Sequence, residues 1–581
     1  MPHHTPVHLA AAEAVATRAG VAANDLAVQA PPRPEMGDLA VGCFAIAKAR
    51  GTNPAQVAKD LVEGFVPSGL VASATAAGPF VNIKLDRAAT FRWLCAAAIE
   101  GTLIPTSTGN GKTICIDYSS PNIAKHLAYH HIRSTTIGHS LAQIFRSLGY
   151  RVVGINFLGD WGTTQGMVIA AYNLWGRSDV ALDVTALTEL YVKYRAAIKQ
   201  NAELERDARL WFKRLENGEP EVRALWQRFR DISWAEFEDI YRALGIVFDE
   251  VRGESAYDPD MPGVLEELRP LITESEGAQV VELEGEKTPI LLKTQDGTTL
   301  YATRDVAAAK YRWNTYHFTR SLYVVDRGQA LHFRQLFKLL KKAGYEWADR
   351  CEHVPFGLVR IGGKKASTRA GGAAGAESGE RSVILMKEVF AEAEAAVRAR
   401  IRDVNPELDP AIVDDVAPKV GIGAVVFANL QTQRDKDVDF EIEKATALDG
   451  DSGPYVQYSH ARCASIMRKA NETIARADID AIDFGTLSHD AEWTVAKKLL
   501  ELPDIVVRAA ENSEPHGVAH YLLQLAGDFS RWYTQGNGDP SLRVLCDDIP
   551  TRRARLALVA AVQATFATGL SLLGMHAPSQ M

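Results

Sequence analysis

Cysteine is sparse. Six residues (Cys43, Cys95, Cys115, Cys351, Cys463 and Cys546) are scattered singly, with no Cys-x-x-Cys pair. That argues against a zinc ribbon and against a secreted disulfide scaffold, and free thiols in a reducing cytosol are expected. The N-terminal stretch MPHHTPVHLAAAEA lacks a basic region followed by an apolar run, so no signal peptide is expected. No uninterrupted apolar run reaches the length of a membrane span, and no membrane association is expected. An excess of positive charge is missing too. The net charge is −8, which is not the global footprint of a nucleic-acid binder, although local patches decide contact. One such patch is FRQLFKLLKK (333–342), where Arg334, Lys338, Lys341 and Lys342 share a helix face. It reads equally as a solvated face. Another is Arg552, Arg553 and Arg555, ahead of an apolar helix. Internal repeats are absent, and AGGAAGAESGE (370–380) is the sole low-complexity stretch, which reads as a mobile loop.

What is present is an ordinary globular composition. With 47% hydrophobic and 23% charged residues over 581 positions, the chain can bury a large core and should form roughly three to five domains. Residues 1–105 read as a small α/β module, with GPFVNIKL (78–85) as a strand. The segment TSTGNGKT (106–113) imitates a phosphate loop, but Thr106 stands where that motif needs glycine and a strand follows where it needs a helix. From 112 the pattern is strand, helix, strand: TICIDYS, KHLAYHHIRSTTIGHSLAQIFRSLG, YRVVGINFLGD. That is a βαβ unit whose active edge is the carboxyl end of the first strand. A long, charged, helical stretch near 170–275 reads as an insertion. Strands resume near 279–301 (QVVELEG, TPILLKT, TTLYAT), then SLYVVD (321–326) is a strand and HFRQLFKLLKKAGY a helix. Beyond about 383 nearly everything is helical by periodicity.

The densest information lies in DYSSPNIAKHLAYHHIRSTTIG (117–138). An apolar strand, Thr113-Ile114-Cys115-Ile116, ends in an acid, two serines, a proline and an asparagine. A helix N-terminus follows, where unpaired backbone N–H groups favour anions. Lys125, His126, His130, His131 and Arg133 add donors to the same region. The combination suits a nucleotide phosphate chain beside a small polar substrate. An ordinary strand-to-helix turn in an α/β core would show some of the same features. His126 and His130 are four residues apart, but no nearby carboxylate or cysteine completes a metal site, and no bound metal is expected.

Several segments together resemble the arginyl-tRNA synthetases, a family of class I aminoacyl-tRNA synthetases. They are DYSSPNIAK (117–125), HIRSTTIG (131–138), INFLGDWGTTQG (155–166), LYATRD (300–305), DRGQALHF (326–333), GKKASTRAGG (363–372), DGDSGPYVQYSHAR (449–462) and LLGMHAPSQM (572–581). The resemblance implies an α/β fold with a nucleotide-binding, Rossmann-like parallel sheet over 112–382, interrupted by an insertion at about 170–295. It implies an N-terminal α/β module (1–105) that touches the tRNA elbow, a helical connector (383–440) and an all-α anticodon-binding domain (441–581). The implied reaction is ATP-dependent attachment of arginine to tRNA(Arg) through arginyl-adenylate, with Mg²⁺ accompanying ATP, in a cytoplasmic protein expected to be a monomer.

By the same resemblance, Asp117, Tyr301, Asp305 and Gln329 line the guanidinium pocket, and Ser119 and Asn122 hold the substrate's α-amino and carboxylate end. The chemistry agrees: guanidinium is planar with five donors, and each of the pocket residues can accept. Taken alone, Asp305 could instead cap the helix starting at VAAAK, and Asn122 could be a helix N-cap. Lys125 matches a lysine that helps neutralise the ATP phosphates, His131 matches the second histidine of the family's first signature, and Lys364, Lys365, Ser367 and Arg369 fall in the second signature. Tyr458 and Arg462, one helical turn apart, would read anticodon bases by stacking, with Tyr533 and Met581 as lesser candidates.

The chain departs from the family at its first signature. Where the family has His-x-Gly-His, it has Ala128-Tyr129-His130-His131. If the segment is helical throughout, His126 and His130 lie roughly 200° round the axis from Ala128 and cannot replace the missing histidine. Loss of one transition-state donor typically costs about 2.7–4 kcal/mol, which Lys125 or a shifted His130 could partly offset. This departure leaves a second reading open, a tRNA-binding paralogue without chemistry.

Overall fold

The structure, a computed structural model, describes residues 5–176, 181–293, 301–361, 364–365 and 384–581. Its centre is a five-stranded parallel sheet. The strands are β5 (Thr113–Asp117), β6 (Arg151–Asn156), β7 (Glu250–Val251), β11 (Arg320–Asp326) and β12 (Cys351–Phe356), in the order β12-β11-β5-β6-β7. Chain order runs outward in one direction from β5 to β7, then restarts at β11 on the other side. The switch therefore falls between β5 and β11, and in such sheets ligands bind beyond the carboxyl ends of the strands at that point. Residues 117–131 leave β5 there, and residues 326–332 leave β11 there.

β5 is buried along nearly its whole length because both sheet faces are covered. The helix Ile132–Ser147 returns the chain to β6 and buries Ile137, Leu141, Ile144 and Phe145. Gly138 lets it lie close to the sheet, since a Cβ there would come within 2.2 Å of Tyr118. This helix begins at Ile132, after a single 3-10 turn over Tyr129–His131. Lys125 to Ala128 are irregular, and Ala128 bridges to Leu385. The expectation of a helix from Lys125 is corrected here, and with it the argument that His126 and His130 point away from Ala128. Ser119, Ser120 and Ala124 hold backbone conformations a helix cannot contain.

The 170–295 stretch is mainly helical at first. Val184–Ile198, Glu203–Glu216 and Pro220–Ala243 pack around Trp161, Phe212, Trp226 and Phe229. Within the same stretch β7 pairs in parallel with β6, so the chain touches the central sheet again. A small antiparallel sheet follows: β8 (Thr273–Ser275), β9 (Ala278–Val281) and β10 (Ile290–Lys293). TTLYAT is not the expected strand where it is described, because a helix, Tyr301–Tyr316, starts at Tyr301. The face formed by Arg334 and Lys338 grips Glu286, at 2.8 and 2.7 Å, and Lys342 donates to the Glu282 carbonyl. That patch is used for internal packing.

An N-terminal four-stranded antiparallel sheet, β1 (Val28–Gln29), β2 (Leu39–Gly42), β3 (Val71–Ala77) and β4 (Phe80–Leu85), is ordered β1-β2-β4-β3. Trp493 Nε1 donates to Asp38 Oδ1 at 3.0 Å, and Phe91 packs on Phe484 and Trp493, joining this module to the C-terminal helices. The helix Ile549–Leu572 is long and apolar enough to cross a membrane by composition, but 67% of its most apolar window is buried inside the bundle.

Arg133 joins the α/β domain to the helical half. Its side chain is fully buried, and it donates to the carbonyls of Asn429 (2.9 Å) and Arg434 (2.7 Å). Those carbonyls lie at and beyond the C-terminus of the helix Pro410–Leu430, where unpaired acceptors and the helix dipole favour a cation. Burial lowers the guanidinium pKa to about 10, so it stays charged at neutral pH. Replacing Arg133 by Met should cost on the order of 3 kcal/mol, because several buried carbonyls lose a charged donor. A urea titration followed by tryptophan fluorescence checks this, and Arg133→Lys should recover part of the loss.

Candidate active site at the sheet switch point

The loop leaving β5 carries stored strain. Ser119 (φ 69°), Ser120 (φ 45°) and Ala124 (φ 62°) all sit in the left-handed region without being glycine. Side chains from three directions hold them. Ser119 Oγ meets Thr135 Oγ1 and Tyr241 OH, both at 2.8 Å, while its N–H donates to Ser134 Oγ at 2.9 Å. Ser120 Oγ donates to Asp117 Oδ1 at 2.7 Å and accepts from the Phe157 N–H at 3.1 Å. The Ala124 N–H donates to Ser233 Oγ at 2.9 Å. Asn122, exposed, bridges to Gly159, where a Cβ would lie 2.0 Å from the Asn122 side chain. Glycine is therefore required at 159 for the asparagine to keep its place.

The helix Pro220–Ala243 buttresses this loop. Ser233, Glu236 and Tyr241 lie at i, i+3 and i+8, one face of the helix. They contact Ala124, His126 and Ser119 respectively; the His126 Nδ1 to Glu236 Oε1 distance is 2.7 Å.

Two acids face the crevice, each with a basic partner. Asp117 is buried, and Arg312 Nη2 donates to its Oδ2 at 2.6 Å. Burial by itself would lower the proton affinity of Arg312, but the Asp117 carboxylate outweighs it and holds the guanidinium firmly charged. Asp305 is half-buried, with Oδ2 2.6 Å from His332 Nε2. Beside them Arg304 pairs with Glu254 at 2.5 Å. Burial raises the Glu254 carboxyl to about 8, against the opposing pull of Arg304. Gln329 is exposed at the start of the helix Ala330–Lys342, one turn before His332.

The first-signature segment lines the other wall. The rings of His130 and His131 are 4.0 Å apart. His131 Nδ1 lies 3.0 Å from the Ala128 carbonyl. A carbonyl can only accept, so Nδ1 carries the proton and Nε2 presents a lone pair. Burial lowers the His131 pKa to about 4, the Ala128 carbonyl opposes this, and Lys125 adds to it. The imidazole is therefore neutral in the free protein, and an arriving phosphate would favour a second proton on Nε2. Lys125 Nζ rests 4.3 Å from the ring centroid of Tyr191, on the inserted helix Val184–Ile198.

The end of β5 and the segment leaving it carry Asp117, Ser119, Asn122, Lys125, His130 and His131, while Asp305 lies on the helix Tyr301–Tyr316 and Gln329 in the turn after β11. Lys364 and Lys365 form β14, paired with β13 (Val359–Ile361). Their side chains, that of Tyr301, and the whole of Arg369 lie outside the described residues. In the helical half, Arg462 lies over Tyr458 (4.8 Å) and Tyr533 (5.3 Å), all three half-buried. Met581 packs, partly buried, against the cluster of Val397, Ile401, Val413 and Val420.

Arg312, His332, Tyr191 and Tyr241 escaped the sequence reading. Two had a periodic signal. Arg312 is seven residues, about two turns, from Asp305 on one helix, and His332 is one turn from Gln329. Tyr191 and Tyr241 had none, since nothing local ties an inserted helix to a loop far upstream.

Known proteins resemble this chain in sequence and in fold. Residues 94–442 match the catalytic domain of class I (R) tRNA synthetases. Residues 7–85 match the arginyl tRNA synthetase N-terminal domain, and 456–581 match the DALR anticodon binding domain. The chain is 41% identical over 560 residues to a protein of Exiguobacterium sibiricum named arginine–tRNA ligase, covering 95% of each chain. It is 41% identical over 567 residues, again 95% of each, to arginine–tRNA ligase 1 of Bacillus cereus. Among solved structures, Thermus thermophilus arginyl-tRNA synthetase matches with a TM-score of 0.79 at 25% identity, covering 98% of this chain and 99% of that one.

The Asp117–Arg312 pair predicts an asymmetric response to substitution. Arg312→Met leaves a buried carboxylate unpaired and should destabilise by about 3–5 kcal/mol. Adding Asp117→Asn to that variant removes the orphaned charge and should restore a large part of the loss. Chemical denaturation of the two variants and the parent measures both effects.

Proposed function

This chain belongs to the class I arginyl-tRNA synthetases, and on that premise we propose how its residues share the work. The protein is an arginine–tRNA ligase. Arginine's carboxylate attacks the α-phosphate of ATP, giving arginyl-adenylate and pyrophosphate. The terminal ribose hydroxyl of tRNA then takes the arginyl group. The paralogue reading is not supported, because relatives across 95% of the chain are named as ligases.

No side chain need become covalently attached, so positioning and charge stabilisation carry the rate. Asp305 and Asp117 supply the negative charge for the guanidinium, with Tyr301 and Gln329 as neutral acceptors around it. Asp117 already receives Arg312 and Ser120, so it offers its remaining lone pairs. Ser119 and Asn122 take the α-amino and carboxylate end. ATP enters as its magnesium complex. His131 meets its phosphates through Nε2, and Lys125, Lys364, Lys365 and Arg369 neutralise their charge. His130, its ring 4.0 Å from that of His131 and tilted 35° to it, stands where the family's glycine would be and supports that ring. Tyr458, Arg462 and Tyr533 form a stacking surface for unpaired anticodon bases of tRNA(Arg). Met581, which packs against the cluster of Val397 and Val420, is the lesser candidate for the same role. The N-terminal module touches the tRNA elbow. We place the protein in the cytoplasm, off the membrane, as a monomer, in keeping with a translation enzyme whose substrates are soluble.

The observation that carries this reading is convergence. The segment leaving β5 carries Asp117, Ser119, Asn122, Lys125 and His131, and Arg312 ties Asp117 to the helix that carries Asp305, which supports this reading. Charging of a tRNA pool with labelled arginine, and not with lysine, tests it. Lysine's shorter point charge leaves buried acceptors unpaired, so discrimination should be strong. Absence of arginine charging across magnesium and tRNA conditions would refute it.

Three substitutions follow. His131→Ala should lower the charging rate by about 10²–10³-fold, the usual loss for one transition-state donor. Tyr191→Ala should lower the KM for ATP by about two- to fivefold, since Lys125 leaves a cation–π contact of about 0.5–1 kcal/mol when it turns to phosphate. Tyr191→Phe should leave that KM unchanged. Steady-state kinetics in ATP resolves all three.

A further inference from the structure

Asp305 is hydrogen-bonded, in the described structure, to a residue outside the assigned pocket. His332 Nε2 lies 2.6 Å from Asp305 Oδ2. The two side chains are 29% and 20% exposed, so both can be reached by solvent and by a ligand. The imidazole is held from below, its ring edge-on to Phe333 at 5.4 Å, and Phe333 in turn stacks on His353 at 4.7 Å. His332 stands one helical turn beyond Gln329, on the helix that follows β11. It therefore sits on the carboxylate assigned above to the guanidinium.

We propose that His332 is a specificity-determining positioning residue for arginine, holding one oxygen of Asp305 and competing, when protonated, with the incoming cation for that carboxylate. This rests on the reading of Asp305 as a guanidinium acceptor. A neutral imidazole donates one N–H and fixes the carboxylate rotamer, leaving Oδ1 and the full negative charge for the substrate. An imidazolium neutralises the carboxylate and repels a guanidinium. Arginine and a proton on His332 are then mutually exclusive ligands of the pocket.

The surroundings push the titration of His332 upward. The charged groups about the pair are Arg304 on the Asp305 helix, Glu254 paired with Arg304, His353 of β12, and Asp326 at the end of β11. Asp305 favours a proton on His332, and a charge on His353 would oppose it. Burial lowers the affinity of His332 for a proton, and the hydrogen bond and charge of Asp305 overcome that, leaving its pKa above the ordinary 6.5. The sign is fixed: His332 is charged below that raised pKa, so arginine binding weakens as pH falls through it. In the limit, the KM for arginine rises about tenfold per pH unit.

The experiment is the KM and kcat for arginine in tRNA charging from pH 6 to 8.5, at saturating ATP and tRNA, with the KM for ATP as the internal control. The parent is compared with His332→Gln, which keeps an N–H donor and cannot titrate, and with Asp305→Asn. The expected result is a rising arginine KM in the parent below its break, no such rise in His332→Gln, and a high arginine KM in Asp305→Asn at every pH. His332→Asn repeats the test should the glutamine variant fold poorly. An unchanged slope in the histidine variants, or a flat parent profile, overturns the inference while Asp305→Asn still reports on the pocket. A parental arginine KM in Asp305→Asn overturns the pocket reading itself.

Discussion

Three non-glycine residues in six, Ser119, Ser120 and Ala124, hold left-handed backbone at the carboxyl end of β5. Such conformations cost about 1–3 kcal/mol each and persist only when their surroundings over-determine them. Here the surroundings are the hydroxyls of Ser134, Thr135, Ser233 and Tyr241, drawn from the helix after the loop and from the insertion. Every polar group of the first wall of the crevice takes its place from this loop. Asp117 precedes it, Asn122 lies within it, and Lys125 and His131 are delivered by its far end. Without the strain the chain would run straight into a helix, and the same residues would spiral round an axis instead of converging on one opening.

That dependence ties the catalytic sheet to the rest of the chain. The insertion does more than decorate the domain. Ser233, Glu236 and Tyr241 hold the loop, and Tyr191 holds Lys125. From the opposite side, Arg133 binds the helix behind the signature to carbonyls beyond residue 428. The backbone of Leu127 and Tyr129 pairs with Met386 and Ile384. An element that shifts in the helical half, or in the insertion, therefore acts on the signature through hydrogen bonds. The route runs through packed, charge-bearing contacts with defined geometry.

Much of this was legible in the sequence, and for physical reasons. β5, β6 and β11 are short apolar runs bounded by turn residues. The helices after β5 and β11 carry strong periodicity. The motif residues are polar side chains placed immediately after those strands, where a parallel sheet puts its ligands. Hidden from view were features that depend on tertiary contact. The helix start slipped from Lys125 to Ile132 because strain, set by distant hydroxyls, defeats local propensity. TTLYAT looked β-prone, yet from Tyr301 it opens the helix that carries Asp305 and Arg312, so packing overrode propensity. The basic face of 333–342 read equally as a contact patch and as a solvated face, but Glu286, from a loop nearly fifty residues earlier, pairs with Arg334 and Lys338. The counter-ions of the two pocket acids, Arg312 and His332, follow the same rule: their spacing was visible, and their purpose became visible only with the fold.

A crystal structure with a non-hydrolysable arginyl-adenylate analogue tests the central claim most directly, that the strained loop and the facing helices build one site for both halves of that intermediate. The account predicts the guanidinium within hydrogen-bond distance of Asp305, in place of a charged His332, and the phosphate beside His131 Nε2 with Lys125 turned away from Tyr191. An analogue bound with its guanidinium remote from Asp305, or with Ser119, Ser120 and Ala124 relaxed to negative φ, would contradict it.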